Sequence, residues 1–170
     1  GKELLDGASC QIADGQKVGI VGDNGCGKST LFKAILGQVE PFLGKIEMPK
    51  NAIIAFAEQE ISDTSVPILQ FVLSKNKPLI YYREKLLTAK ESELADIHEH
   101  LRLLESDSAE SRVAAILHGL GFEQQDFIRP IHDFSGGWRM RLTLAGALFQ
   151  NSDILLLDEP SNHLDWEATV

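Results

Sequence analysis

The stretch from Gly22 to Ser29 constrains the fold of this chain more than any other part of the sequence. It reads Gly-Asp-Asn-Gly-Cys-Gly-Lys-Ser and matches the phosphate-loop pattern G-x-x-x-x-G-K-[ST] at every fixed position. Glycines let consecutive backbone N–H groups surround a phosphate, because no Cβ atom blocks the approach. Lys28 would reach the β- and γ-phosphate oxygens, and Ser29 would bind the Mg²⁺ that bridges them. The pattern predicts a nucleoside triphosphate site.

The residues on both sides of this loop have the patterns that such a site requires. The run from Lys17 to Val21 is apolar and rich in β-branched residues, and it follows a turn at Asp14-Gly15. A helix is expected to begin at Lys28 and to end at Gly37, with its positive N-terminal end aimed at the phosphates. This order of strand, loop and helix disfavours a glycine-rich turn that merely connects two elements. The predicted nucleotide-binding residues are Gly22, Asp23, Asn24, Gly25, Cys26, Gly27, Lys28, Ser29 and Thr30.

A second feature is the continuous apolar run from Ile154 to Leu157, which is typical of a strand buried in a parallel sheet. Asp158 and Glu159 follow it, at the end of the strand where α/β sheets bind ligands. In a chain with a phosphate loop, Asp158 is expected to bind Mg²⁺ and Glu159 to orient or deprotonate a water molecule. The alternative is an acidic pair that caps a helix.

A third feature is Ser135-Gly136-Gly137, which comes directly before a run of apolar residues at helical spacing. Such a helix N-terminus could bind a second anion. Taken alone, an ordinary N-cap followed by flexible glycines is the favoured interpretation.

Composition limits the class of protein. Hydrophobic residues make up 44% of the sequence, which suffices for a core, and no apolar run approaches the ~18 residues needed to span a bilayer. The 25 acidic residues outnumber the 16 basic ones, which argues against a broad nucleic-acid-binding face. Two cysteines do not form a disulfide framework, and a reducing compartment fits best. We therefore expect a cytoplasmic protein.

The rest of the chain carries weaker signals. Residues 4–5 and 8–12 are interpreted as strands, and residues 45–48 and 52–57 as two strands of a small antiparallel layer. Gln59 follows this layer, and its local pattern alone favours a surface loop. A helical pattern begins at Ser65 and is interrupted between Asn76 and Pro78.

Residues 79–105 are charged and carry apolar residues seven positions apart, at Ile80, Leu87, Leu94 and Leu101. Because the seam residues Arg83 and Lys90 are not apolar, we expect a short helical hairpin whose second arm is capped by Thr88 or Ser92. A single amphipathic helix lying on the domain is the alternative. His98 and His100 diverge on a helix, cannot share a metal ion, and are both expected to be exposed.

Together the motifs resemble the ATP-binding cassette ATPases across essentially the whole chain. Within that superfamily the sequence is most similar to the first cassette of the ABC-F proteins, tandem-cassette ATPases of which many act on the ribosome. The resemblance lies in residues 21–31, 134–148 and 157–165. Transporter cassettes more often have glutamine in place of Trp138, and seldom have Asn162-His163. Phe134 and Ser161 depart mildly from the family pattern, which has leucine and more often threonine there.

The resemblance implies roles for individual residues. Gln59 would sense Mg²⁺ and the attacking water, and Glu159 would be the catalytic carboxylate. Ser135, Gly136 and Gly137 would form the signature that clamps the γ-phosphate of ATP held by an opposing cassette. Asp165 would belong to the D-loop at that interface. ATP binding would then close two cassettes face to face, and hydrolysis would release them.

The fold expected from the resemblance is an α/β P-loop NTPase core of the ABC type, with a small antiparallel β layer and a helical subdomain with an arm-like insertion. Residues 1–170 would form a single, incomplete domain. Residues 1–64 would hold the β layer and phosphate-loop core, and 65–134 the helical subdomain with its insertion at about 79–110. Residues 135–170 would hold the signature helix, the acidic strand and the D-loop. The switch histidine and the aromatic residue that stacks on adenine would lie outside this sequence.

The expected activity is hydrolysis of ATP to ADP and phosphate with Mg²⁺, by an ABC-F type cassette that works with a second cassette on the ribosome. The segment from Arg83 to Glu105 holds four basic and six acidic side chains, which gives little support to direct RNA contact. The alternatives are an ATP-binding subunit of a transporter, docked on membrane subunits through its helical region, and a nucleotide-dependent interaction module without hydrolysis.

Overall fold

The computed structural model describes residues 4–57, 61 and 64–158. The chain divides into two compact units, Gly1–Lys50 and Asn51–Val170. The first unit contains the phosphate loop, and the second contains the helices and a parallel pair of strands.

The regular element of the first unit is α1, Lys28–Ile35, which begins at the lysine of the phosphate loop as predicted. Gly37 adopts a left-handed φ of 71° after the helix, and its N–H donates to the Ala34 carbonyl at 3.0 Å. The predicted glycine stop is therefore confirmed. The strand predictions for residues 4–5, 8–12, 17–21 and 45–48 are wrong, because none of these residues lies in a strand. An apolar run indicates a preference for extended backbone, but a strand also needs a hydrogen-bonded neighbour, and Val21 is 96% exposed.

The sheet of the second unit pairs β1, Ile54–Ala57, with β2, Ile154–Leu157. The two strands are parallel, in a register that sets Ile54 opposite Ile154. Asp153 fixes this register, because its carboxylate accepts the Ile53 N–H at 2.8 Å and its own N–H donates to the Ile53 carbonyl at 2.9 Å. The expected antiparallel pairing of residues 45–48 with 52–57 is wrong, because the second of these segments pairs in parallel with a strand a hundred residues away.

Within residues 61 and 64–158, five α-helices follow β1, with a mostly apolar core between them. They are α2 (Ile68–Ser74), α3 (Lys77–Thr88), α4 (Glu91–Leu103), α5 (Ala109–Gly119) and α6 (Gly136–Phe149). Short 3-10 turns span Ser106–Ser108, Gln124–Ile128 and Ile131–Asp133. Fully buried side chains of this core include Ile68, Leu79, Ile97, Leu117, Phe122, Leu142 and Phe149. Each such side chain contributes about 1.5–3 kcal/mol through removal of apolar surface from water.

Helices α3 and α4 form the predicted helical hairpin, with the break at Ala89 and Lys90. The predicted caps are wrong, since Thr88 is the last residue of α3 and Ser92 lies inside α4. Instead Lys90 is the N-cap residue, and the Glu93 carboxylate accepts its N–H at 3.1 Å. The Glu93 N–H donates to the Lys90 carbonyl at 2.9 Å, so the first turn of α4 is closed by the backbone and by the Glu93 side chain.

Side chains of the hairpin differ from the seven-residue pattern in their burial. Leu79 is fully buried and Leu86 packs against the core, whereas Leu87 is 84% exposed. The apolar face is therefore shifted by one residue in the first arm. His98 is exposed as predicted, but His100 is half-buried because its ring stacks on Tyr82 at a centroid distance of 4.3 Å.

Among the residues that the structure describes, no helix is long and apolar enough to cross a membrane.

Candidate functional site

The phosphate loop curves tightly before α1. Gly25 and Gly27 have left-handed φ angles of 78° and 108°, which L side chains rarely adopt. The Cys26 N–H donates to the Asp23 carbonyl at 3.2 Å. The Lys28 ammonium donates to the carbonyls of Gly22 at 2.7 Å and of Asp23 at 3.0 Å. The lysine is thus folded back over the mouth of its own loop.

This geometry fits a bound triphosphate. The first N–H groups of α1 have no partner within the helix and carry its positive dipole end. The Ser29 hydroxyl lies in the first turn and is exposed. A Cβ atom at Gly22 would come within 2.7 Å of the Cys26 sulfur, so a larger residue would disturb the loop. Backbone donors, a cation and a hydroxyl are the groups that hold phosphates and Mg²⁺ in such loops.

Asp158 follows β2 directly, and it is 5% exposed. A buried carboxylate loses hydration, so it is normally paired with a cation, a hydrogen-bond donor or a metal ion. Mg²⁺ is commonly held by one or two carboxylates together with substrate phosphates and waters. Asp158 therefore has the chemistry expected of a magnesium ligand. Gln59, Glu159 and Asp165 lie outside the described residues, so their predicted roles stay predictions, as does the magnesium set Ser29, Gln59 and Asp158.

The predicted signature lies at the start of α6. Ser135 is the N-cap residue, with extended backbone, and Gly136 and Gly137 form the first turn. Ser135 and Gly136 are exposed, and a Cβ atom at Gly136 would meet no atom within 4 Å. Within the described part of the chain, the Ser135 hydroxyl makes no capping hydrogen bond to α6. Ser135 is thus at the N-cap position, as the alternative interpretation expects, but its hydroxyl does not cap the helix and is free to bind an external group.

Phe134, the residue before Ser135, is anchored in the core. Its side chain is 7% exposed and its ring packs edge-on against Phe122, with centroids 5.6 Å apart. The Arg129 guanidinium lies 4.6 Å from the centre of the Phe134 ring. Arg129 is itself held by Asp126 at 2.7 Å, and the pKa of Asp126 lies below its usual value because its carboxylate accepts the Glu123 N–H and this arginine's hydrogen bond.

Two further arginines on α6, to which the local sequence pattern assigns no role, bind backbone carbonyls. Arg139 donates to the carbonyls of Phe134 at 2.9 Å and His132 at 3.2 Å. Arg141 donates to the Leu120 carbonyl at 3.2 Å and stacks over Trp138 at 4.6 Å. Their positions two and four residues after Gly137 were the available signal, but their partners lie in segments that local patterns do not identify.

A short backbone ladder joins the segment before the signature to the segment that follows Gln59 by a few residues. The N–H groups of Ile131 and His132 donate to the carbonyls of Val66 at 3.1 Å and Thr64 at 2.9 Å. The Ile68 N–H donates back to the Arg129 carbonyl at 3.1 Å. Residues 64–68 and 129–132 therefore run antiparallel and are tied together.

A cavity of about 340 Å³ lies in the hairpin region, away from the signature. Its lining includes Arg83, Arg102 and His98. Both arginines already bind carboxylates, Arg83 on Glu110 and Arg102 on Glu99. The cavity therefore does not resemble an anion site.

Known proteins match nearly the whole chain, including the phosphate loop and the signature. A family model described as ABC transporter matches residues 5–162. The probable ATP-binding protein YheS of Haemophilus influenzae is 43% identical over 99% of this chain and 27% of its own length. Human ATP-binding cassette sub-family F member 3 is 40% identical over 98% of this chain and 24% of its own length. The chain thus spans about a quarter of the length of these curated relatives.

A solved structure supports the same fold. The crystal structure of the complex of archaeal ribosomal stalk protein aP1 and archaeal ribosome recycling factor aABCE1 matches with a TM-score of 0.60 and 28% identity. The match covers 92% of this chain and 25% of that chain. This likeness confirms the predicted α/β fold of the cassette type.

Proposed function

The chain belongs to the ABC transporter family of ATP-binding domains, and from this premise we propose that it binds and hydrolyses ATP as an ABC-F type cassette acting on the ribosome. The resemblance to ABC-F cassettes is confirmed by relatives that match nearly the whole chain at about 40% identity. The observation that carries the proposal is the loop geometry at Lys28, whose ammonium lies over the carbonyls of Gly22 and Asp23 at the start of α1.

Each residue of the proposed site has a distinct task. Backbone N–H groups of residues 22–30 and the Lys28 ammonium hold the phosphates, and the Ser29 hydroxyl and Asp158 carboxylate hold Mg²⁺. Gln59 orients the attacking water and Glu159 accepts its proton. Bound ATP–Mg²⁺ supplies the reactive phosphoanhydride bond and the cation that offsets its charge.

The signature acts in trans in this proposal. Ser135 and Gly136 are exposed at the N-terminal end of α6, where the helix dipole favours an anion. They bind the γ-phosphate of ATP on an opposing cassette, and Asp165 contacts that cassette at the same interface. The partner is a second cassette, in tandem or as a second copy.

The ribosomal partner is proposed from a structural neighbour, and the cytoplasmic location from the composition described above. The name of one structural neighbour is archaeal ribosome recycling factor, and that structure contains a ribosomal stalk protein. A transporter subunit is the second candidate, because the matching family model carries the description ABC transporter. In that case the helical region, residues 65–134, would dock on membrane subunits.

A trapping experiment tests the proposal and separates the candidates. Glu159→Gln removes the proton acceptor and leaves phosphate binding intact, so this variant should hold ATP without turnover. With ATP it should sediment with purified ribosomes, and with ADP it should stay in the supernatant. The double variant Lys28→Ala, Glu159→Gln is the matched control and should not sediment under either condition.

Three results would contradict the proposal. Recovery of membrane permease subunits without ribosomes would favour the transporter candidate. Glu159→Gln with unchanged nucleotide release and unchanged association would indicate a binding module without hydrolysis. Absence of ATP binding in calorimetry of the unaltered chain would exclude the ABC-F cassette, the transporter subunit and the binding module alike.

A further inference from the structure

Arg139 is bound to the turn that leads into the signature serine. Its Nε donates to the Phe134 carbonyl at 2.9 Å, and a terminal nitrogen donates to the His132 carbonyl at 3.2 Å. Its backbone N–H donates to the Ser135 carbonyl at 2.9 Å. One residue thus holds three of the four carbonyls between positions 132 and 135.

Helix stability alone does not account for a cation at this position. Arg139 lies at the fourth position of α6, where the helix dipole favours acidic side chains, and the first turn contains none. Among the described residues, no carboxylate forms an ion pair with Arg139. Arg129 differs, because it pairs with both Asp126 and Asp133. The Arg139 guanidinium therefore binds neutral carbonyls through its planar, fork-shaped array of donors, and no carboxylate among the described residues balances its charge.

The turn held by Arg139 has few other supports on its exposed side. Ser135 and Gly136 are exposed, and Gly136 has no Cβ to restrict its backbone. The Phe134 ring is buried in the core, but burial of the ring does not fix the orientation of the peptide group between Phe134 and Ser135. The hydrogen bond from Nε to the Phe134 carbonyl restrains that plane, which joins Phe134 to Ser135.

We propose that Arg139 is a positioning residue that orients Ser135 and Gly136 to receive the γ-phosphate of ATP held by an opposing cassette. The inference rests on the proposed function, because it assigns the signature to a trans phosphate. Arg139 acts through the turn. It is not required for nucleotide binding at the phosphate loop of its own chain.

Arg141 provides a matched control. It lies on the same helix, two residues further on, and its guanidinium also binds a backbone carbonyl. That carbonyl belongs to Leu120, outside the signature turn, and the guanidinium also stacks on Trp138. Loss of either arginine removes hydrogen bonds to main chain, but only loss of Arg139 releases the turn at Ser135.

The test compares Arg139→Met, Arg139→Lys and Arg141→Met in the Glu159→Gln chain. Sedimentation velocity measures ATP-dependent association of two copies, and calorimetry measures ADP affinity, in which the signature turn takes no part because ADP has no γ-phosphate. Arg139→Met should weaken association by at least about tenfold and change ADP affinity by less than about twofold. Arg139→Lys keeps the charge but lacks the fork, so its association should be intermediate. Arg141→Met should associate within about threefold of the parent.

Equal association of Arg139→Met and Arg141→Met would overturn the inference. So would parental association by Arg139→Lys if Arg139→Met proves unfolded, because the arginine would then be merely structural. Failure of the parent Glu159→Gln chain to bind ATP or to associate would instead contradict the proposed function, and that result is read before any Arg139 variant is compared.

Discussion

Arg83 and Glu110 are joined by two hydrogen bonds, at 2.7 Å from one guanidinium nitrogen and 3.2 Å from the other. The remaining donors of Arg83 reach Ser106, with Nε 3.0 Å from its hydroxyl and a terminal nitrogen 2.6 Å from its carbonyl. Arg83 belongs to α3 and Glu110 to α5. The polar residue that interrupts the apolar seam therefore ties the first arm of the hairpin to the helix that follows the hairpin.

This ion pair predicts an acid-dependent loss of stability. The hydrogen bond from Arg83 holds the pKa of Glu110 below its ordinary value of 4.5, against the opposing effect of partial burial. Because the folded-state pKa is lowered, the contribution is present above the unfolded value and is lost as the pH falls through the folded value. Because the Glu110 carboxylate is half-exposed and solvent screens its charge, Glu110→Gln should lower the free energy of unfolding by at most about 1 kcal/mol near pH 7, and by less at an acidic pH below the folded-state pKa. Urea unfolding at both pH values measures the difference.

Glu99→Gln is the control for this prediction. Glu99 also has a pKa below its usual value, because it accepts a hydrogen bond from Arg102, but that pair is three residues apart on one exposed helix face. Its replacement should change stability less than Glu110→Gln does. An equal effect of Glu110→Gln at the two pH values would contradict the assignment.

Lys28→Ala should abolish binding of ATP–Mg²⁺. The ammonium faces the loop mouth, and removing it leaves the β- and γ-phosphates without their point charge. We expect at least about a hundredfold loss of affinity in calorimetry. Lys33→Ala alters an exposed lysine in the last turn of the same helix and should bind as the unaltered chain does. Unchanged affinity of Lys28→Ala would contradict the proposed site.

Gly27→Ala should impair nucleotide binding through the backbone. Gly27 has a φ of 108°, and its Cβ would come within 3.1 Å of the Leu4 side chain. Alanine at a left-handed position is strained by about 1–3 kcal/mol, so the loop should change shape. Gly19→Ala is the matched substitution, because Gly19 has no left-handed φ and open space around it. Fluorescent ATP titration of the two variants should show weaker binding only for Gly27→Ala, and equal binding would refute the strain argument.

Phe134→Leu should be tolerated better than Phe134→Ala. Leucine keeps most of the buried volume but loses the ring contacts with Phe122 and Arg129, so we expect a cost of about 1 kcal/mol. Alanine leaves a cavity and should cost about 3 kcal/mol. Phe42→Ala removes a ring that is 98% exposed and should have no measurable effect on thermal unfolding. Similar melting temperatures for Phe134→Ala and Phe42→Ala would show that Phe134 does not anchor the turn.

Local sequence patterns predicted the helices and strands whose ends are set by neighbouring residues in the sequence. The start of α1 at Lys28 follows from the glycine loop, and its end follows from Gly37. The helix after Ser135 and the strand from Ile154 to Leu157 were likewise predicted from short runs.

Interactions between distant residues could not be predicted in this way. The parallel partner of residues 54–57 lies a hundred positions away, and Asp153 sets that register through a backbone contact. The contacts of Arg83 with Ser106 and Glu110 span 23 and 27 residues. Arg139 was not singled out because its acceptors are carbonyls, which every residue type provides.

The ladder between residues 64–68 and 129–132 consists of main-chain hydrogen bonds. Substituting the side chains of these segments does not remove such bonds, unless proline replaces one of the donors at Ile68, Ile131 or His132. Ile68 and Ile131 are fully buried, so packing in the core restricts their replacement to apolar residues of similar size, but the hydrogen bonds of the tether do not depend on which of those residues is present. The link between residues 64–68 and the stretch leading to Ser135 is therefore made mainly by main-chain hydrogen bonds, which any non-proline residue at the donor positions can form.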